Sequence, residues 1–411
     1  MFDKNHLLPG DALKRVLSAI PERQETTERL RIEECYGRIL ASPVVAPEDL
    51  PAFARSTVDG FAVHSSDTFG ARESLPAYIN VKGEVFMGVA PDFSIGKGEC
   101  ARIPTGGMLP PGADAVVMLE YAQTVSDDMI EVMKPVAPHE NIIRRGEDVE
   151  EGMLVLTRGR RLRPQDIGAL AGLGITGVDV FTKPVVALVS TGDEIVPPGT
   201  PLRPGQVRDI NSFTLAGLIS EHGGVPVKKG IFSDEYGVIR GAIEEALSAA
   251  DMVLVSGGTS AGVKDMTSTI IDDIGKPGVL FHGVSLKPGK PMIGGVIGNT
   301  PLFGLPGHPA AAVVCFDLFI LPLLERLSGL DTGKCFPRTV RARMAKSIAS
   351  SAGREDHIRV ALERQGDELL AVPVLGKSGL ITTLVRADGM VGIPQEKLGL
   401  DAGEEVTVKL F

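Results

Sequence analysis

Five short polar segments between residues 190 and 309 carry residue types that can meet an anion or a cation. They are Ser190-Thr191-Gly192-Asp193-Glu194, Ser233-Asp234, Ser256-Gly257-Gly258-Thr259-Ser260, Lys287-Pro288-Gly289-Lys290-Pro291 and Pro306-Gly307-His308-Pro309. The small residues of the third segment let backbone N–H groups approach a phosphate, and the segment leads toward a helix start. It lacks the lysine of a P-loop. A helix terminus contributes only about 0.3 to 1 kcal/mol per exposed charge, so a pyrophosphate there needs further cations. Lys287 and Lys290 can supply them. Glu194, Asp234 and Asp265 are then surplus negative charge unless a divalent cation sits among them, a magnesium-type arrangement. Each segment alone is equally readable as a helix cap or a turn.

Two further segments lie upstream, Ser56-Thr57-Val58-Asp59-Gly60-Phe61-Ala62 and Arg102-Ile103-Pro104-Thr105-Gly106-Gly107, and by residue chemistry both are also consistent with turns. Arg144, Arg145, Glu147 and Asp148 form a compact charged cluster whose composition suits a solvated linker. Gly172, Gly174 and Gly177 spell a dinucleotide fingerprint, but they follow a helical pattern and precede a strand, the reverse of the binding order. A helix C-cap and turn explain them.

The elements that must position these residues follow from periodicity. Val185–Val189 and Met252–Val255 are continuous apolar runs suited to strands buried on both faces. Val225–Phe232, Val279–Phe281, Met292–Val296 and Leu302–Leu305 read as further strands. Helices are expected from Asn211, as a cap, to Gly223, over Glu235–Ala249, over Met266–Ile274 and over Ala310–Leu327. Alternation of β and α implies a doubly wound, largely parallel sheet, and in such sheets ligands bind outside the carboxyl ends of the strands. The polar segments after Val189, Phe232, Val255 and Leu305 fall there. Elsewhere, 9–20 and 25–41 read as helical. Tyr78–Val81, Glu84–Met87, Ala115–Leu119 and Ile130–Met133 read as strands among turns, Met153–Leu156 and Gly177–Phe181 as strands flanking a helix at Pro164–Leu173, and the region after Leu330 alternates as β. The expected architecture is a multidomain α/β protein: a linking α/β domain (1–45 and 146–182), a mostly β domain (46–145), the doubly wound α/β domain (183–331) and a small C-terminal β-barrel (332–411).

Composition excludes several function classes. A net charge of -10 argues against a nucleic-acid partner, whose affinity rests on Lys and Arg neutralising phosphates. The longest apolar stretches, such as Ala310–Phe316, fall short of the roughly 18 residues of a membrane span. The first residues show no signal-peptide core, so a cytoplasmic location is expected. Cys35, Cys100, Cys315 and Cys335 are too scattered for metal-binding pairs or a disulfide framework, and the seven histidines form no zinc motif.

Taken in order, Asp59-Gly60 with Ala62-Val63, Thr105-Gly106 with Pro110 and Gly112-Ala113-Asp114, Gly146-Glu147-Asp148, Ser190 to Glu194, Asn211-Ser212, Ser256-Gly257-Gly258, Lys287 to Pro291 and Leu305-Pro306-Gly307 carry a resemblance. The chain resembles, over essentially its whole length, the molybdopterin molybdenumtransferase family, which comprises the MoeA proteins and the E domain of gephyrin. The resemblance implies four subdomains and an elongated homodimer whose active site lies between the α/β domain of one subunit and the β domain of the other. It implies a reaction in which adenylylated molybdopterin and molybdate give molybdenum cofactor and AMP, with Mg2+ assisting cleavage of the phosphoanhydride. The implied catalytic residues are Asp59, Thr105, Glu194, Asp234 and Asp265, the last three holding the metal. Ser256, Gly257, Gly258 and Thr259 cradle phosphate, while Lys287, Lys290 and Arg144 offset the pterin phosphate and the oxyanion. Pro306 and Pro309 shape the last loop, and Ser378 is a pocket residue from the C-terminal domain. The implied partners are a second copy of the chain, a molybdopterin adenylyltransferase and molybdoenzymes.

Three positions depart from the family pattern: Val263 replaces a common acidic residue, His308 a common Asn, and Thr57-Val58 a common Ala-Met. Two other function classes compete. The α/β unit also resembles the pterin adenylyltransferase domain, and a scaffold that holds cofactor without turnover needs no carboxylates. A tungstate-inserting paralogue has the same motifs.

Overall fold

The computed structural model describes residues 6–21, 26–257, 261–334 and 336–411, with the side chains of 261–265 and 334 outside the description. At its centre is a six-stranded sheet in the order Val225–Phe232, Val185–Thr191, Met252–Gly257, Thr300–Pro306, Ile293–Ile297, Pro277–His282. Only Ile293–Ile297 runs against the others. Strands rich in Val, Leu and Ile with no polar alternation bury both faces, and both faces here are covered by helices. Helices Asn211–Glu221 and Pro9–Ala19, with the segment 309–327, share one core that includes Ala12, Val16, Leu215, Phe303 and Phe319. Helices Tyr236–Leu247 and Ala261–Ile274 cover the opposite face through Ile239, Ile243, Ile270 and Ile271. This is the doubly wound, largely parallel unit expected from the alternation of elements.

Register places the strand ends in one row. Thr191 is level with Phe232 on one side and Gly257 on the other, and Gly257 is level with Pro306. The row is tight: a Cβ on Gly257 would lie 2.1 Å from the Thr191 carbonyl oxygen, so only glycine fits. Because Pro277–His282 points the same way as the four parallel strands, the turn carrying Lys287 and Lys290 emerges at the same carboxyl edge.

The β domain is a six-stranded sheet in the order Ala115–Met118, Gly60–Val63, Glu99–Ile103, Ala77–Glu84, Met129–Val132, Ala122–Ser126. Apolar clusters lie on its two faces. The linking α/β part is stitched by strands from both sides of it: Thr27–Arg31 pairs antiparallel with Gly177–Phe181, and Val44–Val45 with Leu154–Leu156. Helix Pro164–Gly172 packs Leu170 into the core between them. The C-terminal part is a closed barrel: Glu355–Gln365, Glu368–Pro373, Thr339–Met344, Glu405–Leu410 and Gly389–Ile393 pair in sequence, and the last pairs with the first. Leu286–Lys287 adds to this barrel as an outer strand, parallel to Glu355–Asp356.

Several elements differ from the sequence reading. The described part of the stretch 25–41, from 26 on, is not an α-helix: Thr27–Arg31 is a strand and Ile32–Glu34 one 3-10 turn. Its charged residues suit a helix surface, but pairing with Gly177–Phe181 overrides local propensity. The strand expected at Glu84–Met87 ends at Glu84, and the chain turns through Gly88 at φ 76°. The helix expected from Met266 begins five residues earlier, at Ala261. The helix expected over Ala310–Leu327 is interrupted by a π turn at Phe316–Ile320, just before Pro322, which has no N–H for an α-type bond.

Candidate active site

The carboxyl edge of the central sheet is polarised. At its outer end, the Asp234 N–H donates to Asp193 Oδ1 at 3.2 Å, which binds the loop after Phe232 to the loop after Thr191. Asp234 Oδ1 is buried and has no hydrogen-bond partner. Burial, then the neighbouring charges of Asp193 and Glu194, push the Asp234 carboxyl above its ordinary value. Three carboxylates with an orphaned buried oxygen are the donor chemistry of a hard divalent cation. Among the described residues no set of three His, Cys, Asp or Glu side chains converges on one metal position. The side chain of Asp265, the third expected ligand, lies outside the described residues, as do Gly258 and Thr259.

In the middle of the edge, Asn211 does the joining. Its Nδ2 donates to Ser256 Oγ at 2.8 Å and to the Gly307 carbonyl at 3.0 Å, so one buried amide holds two strand-end loops at the first turn of helix Asn211–Glu221. The sequence reading of Asn211 as a helix cap is therefore corrected. Asp209 caps instead: its Oδ1 accepts from the Ser212 N–H at 3.0 Å, and its Oδ2 from Ser190 Oγ at 2.8 Å.

At the opposite end lies a cavity of about 700 Å3. Lys287, Lys290, Pro306 and His308 line it from the α/β unit, and Arg354, Ser378 and Gln395 from the barrel. No carboxylate lines it among the described residues, so a chain of net charge -10 concentrates three cations at one concave place. Buried Asp356 holds two of them, accepting from Arg354 Nε at 2.7 Å and standing 3.6 Å from Lys287 Nζ. Ser378 Oγ is 2.8 Å from His308 Nδ1. Lys287, Lys290, Pro306 and Ser378, singled out from the sequence, thus meet in one cavity; Pro309 opens the helix behind it. Arg354, Gln395 and His6 were missed, because barrel alternation marks burial rather than ligand contact and His6 stands in no motif.

The remaining expected residues lie elsewhere in the chain. Asp59 Oδ1 accepts from both the Thr105 N–H at 2.7 Å and Thr105 Oγ1 at 2.9 Å. These bonds, the backbone one first, hold its carboxyl below the usual range. The pair lies in the β domain and does not line the cavity. Arg144 turns back on Glu147, with Nε 3.3 Å from Oε2, and does not reach the cavity within one chain.

Comparison with known proteins finds similarity along the whole chain. Residues 9–174 match the MoeA N-terminal region (domain I and II), 187–326 a probable molybdopterin binding domain, and 341–411 the MoeA C-terminal region (domain IV). A putative molybdopterin biosynthesis protein of Methanocaldococcus jannaschii is 35% identical, covering 99% of this chain and 98% of its own. The molybdopterin molybdenumtransferase of Bacillus subtilis is 32% identical over 100% of this chain and 96% of its own. A crystal structure of a molybdopterin biosynthesis MoeA protein from Pyrococcus horikoshii superposes with a TM-score of 0.87 at 32% identity, covering 99% of this chain and 100% of that one. By end-to-end similarity in sequence and in fold, the chain belongs to the MoeA, or molybdopterin molybdenumtransferase, family.

Proposed function

We propose that the chain transfers molybdenum from molybdate to adenylylated molybdopterin and releases AMP. The observation that carries this reading is the bipolar carboxyl edge. Its acidic loops follow the first two strands in sheet order and its basic turn joins the last two, about four strand spacings or ~19 Å away, so it suits an elongated ligand with a phosphoanhydride toward one end and a small oxyanion at the other. Relatives named molybdopterin molybdenumtransferase align over 92 to 100% of the chain and support the assignment.

Glu194 and Asp234, with Asp265, would hold Mg2+. Bound there, the ion would offset charge developing on the phosphoanhydride. The loop that follows Ser256 and Gly257, the last residues of strand Met252–Gly257, would meet phosphate oxygens between the two ends. Lys287, Lys290 and Arg354 bind the tetrahedral dianion. Asp59 and Thr105 of a second copy close the open side, which makes the working unit a homodimer with a shared pocket. The exposed apolar residues Phe53, Phe86, Met87 and Val89 of the β domain favour burial against such a copy.

The test is direct. Purified protein is given adenylylated molybdopterin with molybdate or tungstate, and AMP is followed. Oxyanion- and Mg2+-dependent AMP release is expected. Retention of the pterin with no AMP release would make the chain a scaffold, and formation of adenylylated pterin from ATP and molybdopterin would move it to the preceding step.

A further inference from the structure

His308 and Ser378 come from different domains and meet over the cavity. His308 ends the loop after strand Thr300–Pro306, and Ser378 lies on a barrel loop. His308 Nδ1 is 2.8 Å from Ser378 Oγ, and the Ala310 N–H donates to the Ser378 carbonyl at 3.1 Å. Backbone and hydroxyl of Ser378 are thus both fixed against one short stretch, and both side chains line the cavity with Lys287, Lys290 and Arg354.

A serine hydroxyl has one proton to donate. When Ser378 donates it to His308 Nδ1, the oxygen turns only lone pairs toward the cavity, and these repel an anion. When His308 Nδ1 donates instead, the hydroxyl proton is free to face the cavity. Imidazolium can only donate, and it adds a positive charge.

We propose that His308 is a proton-linked positioning residue: binding of a tetrahedral dianion in the cavity draws a proton onto its imidazole, which then sets Ser378 to donate its hydroxyl to the anion. This rests on the oxyanion reading of the cavity given above. The charged and titratable groups that line the cavity with His308 are Lys287 and Lys290 from the turn, Arg354 from the barrel and His6 from the N-terminal segment, with Asp356 paired to Lys287 and Arg354. A dianion bound beside the imidazole favours its protonated over its neutral form, so proton and ligand bind together.

The experiment is calorimetric titration of the full-length protein with molybdate and with tungstate, without pterin, from pH ~5.5 to ~8.5 in two buffers of different protonation enthalpy. For the unaltered protein, proton uptake accompanies binding and Kd rises about three- to tenfold per pH unit across the range where histidines titrate. His308→Asn, whose amide can donate to Ser378 without titrating, binds with a nearly pH-independent Kd and no uptake. His308→Ala binds more weakly at every pH, also without uptake. Uptake and slope that persist in both variants would overturn the proposal. Binding by the unaltered protein without uptake would overturn it while leaving the oxyanion reading intact; no binding at any pH would overturn both.

Discussion

Lys287 of the α/β unit and Asp356 of the barrel stand paired, Nζ 3.6 Å from Oδ2, because their strands run parallel for two residues. Asp356 is 1% exposed and also receives Arg354, at 2.7 Å to Oδ1. One buried carboxylate therefore ties two domains together and aims two cavity cations. Lys287 is more than half exposed, so its pairing adds little stability, and the Arg354 contact dominates. Asp356→Asn should destabilise the protein by about 2 kcal/mol in urea unfolding and raise the KM for molybdate several-fold with a smaller change in kcat. An unchanged KM would remove Asp356 from the positioning of the cavity.

Asn211 offers a test by rank order. Both of its amide protons are used, on Ser256 Oγ and the Gly307 carbonyl. Asn211→Ala should cost about 1 to 3 kcal/mol, the loss of buried bonds. Asn211→Asp should cost more, since a carboxylate cannot donate to the Gly307 carbonyl and is itself buried. Thermal unfolding reads the order, and an aspartate variant more stable than the alanine one would contradict this account.

Asp166 binds the linking domain. Burial raises its pKa, but hydrogen bonds from Arg163 and Arg160 and from the Arg163 N–H outweigh that and hold it at about 2. A depressed carboxylate contributes stability that is present above its unfolded value and lost as pH falls through the folded one. That contribution, about 2 kcal/mol, should disappear between pH ~4 and ~2. Asp166→Asn should lower stability at pH 7 and flatten this acid limb; a variant with the same acid limb would assign it to other carboxylates.

The central sheet was legible because a strand buried on both faces writes an uninterrupted apolar run, as at Val185–Val189. The row of polar loops at its carboxyl edge was legible too, since polar residues cluster where such runs end. Thr27–Arg31 was not, because its partner, Gly177–Phe181, lies about 150 residues away and no local signal encodes the pairing. For the same reason Arg354 and Asp356 escaped notice: their importance comes from lying beside Leu286–Lys287, a contact between domains. Asn211 was found but misread, because an amide at a helix start has two possible jobs and only packing against Ser256 and Gly307 decides between them.

Asp234 should make the protein's stability depend on Mg2+. Its pKa is raised, so its favourable contribution is present below the unfolded value and lost as pH rises through the folded one. Once ionised, the partly buried group therefore costs stability. Asp234→Asn should raise the melting temperature in the presence of a chelator and abolish the further rise that Mg2+ gives the unaltered protein. A variant that still gains stability from Mg2+ would place the ion elsewhere.

The separation of Asp59 and Thr105 from the cavity within one chain makes the shared pocket testable by complementation. Asp59→Ala should remove the wall contributed by the β domain, and Asp234→Ala the metal end of the α/β edge. Each variant alone has every pocket damaged. When the two are unfolded together and refolded, half of the dimers are mixed, and each mixed dimer pairs one doubly damaged pocket with one intact pocket. About a quarter of the normal AMP-releasing activity should return, because a two-fold interface gives every dimer two equivalent pockets. Recovery of nothing beyond the separate variants would mean that each chain builds its pocket alone, and Asp59 would then lose its place in the reaction while the cavity around Lys287 and Lys290 kept its own.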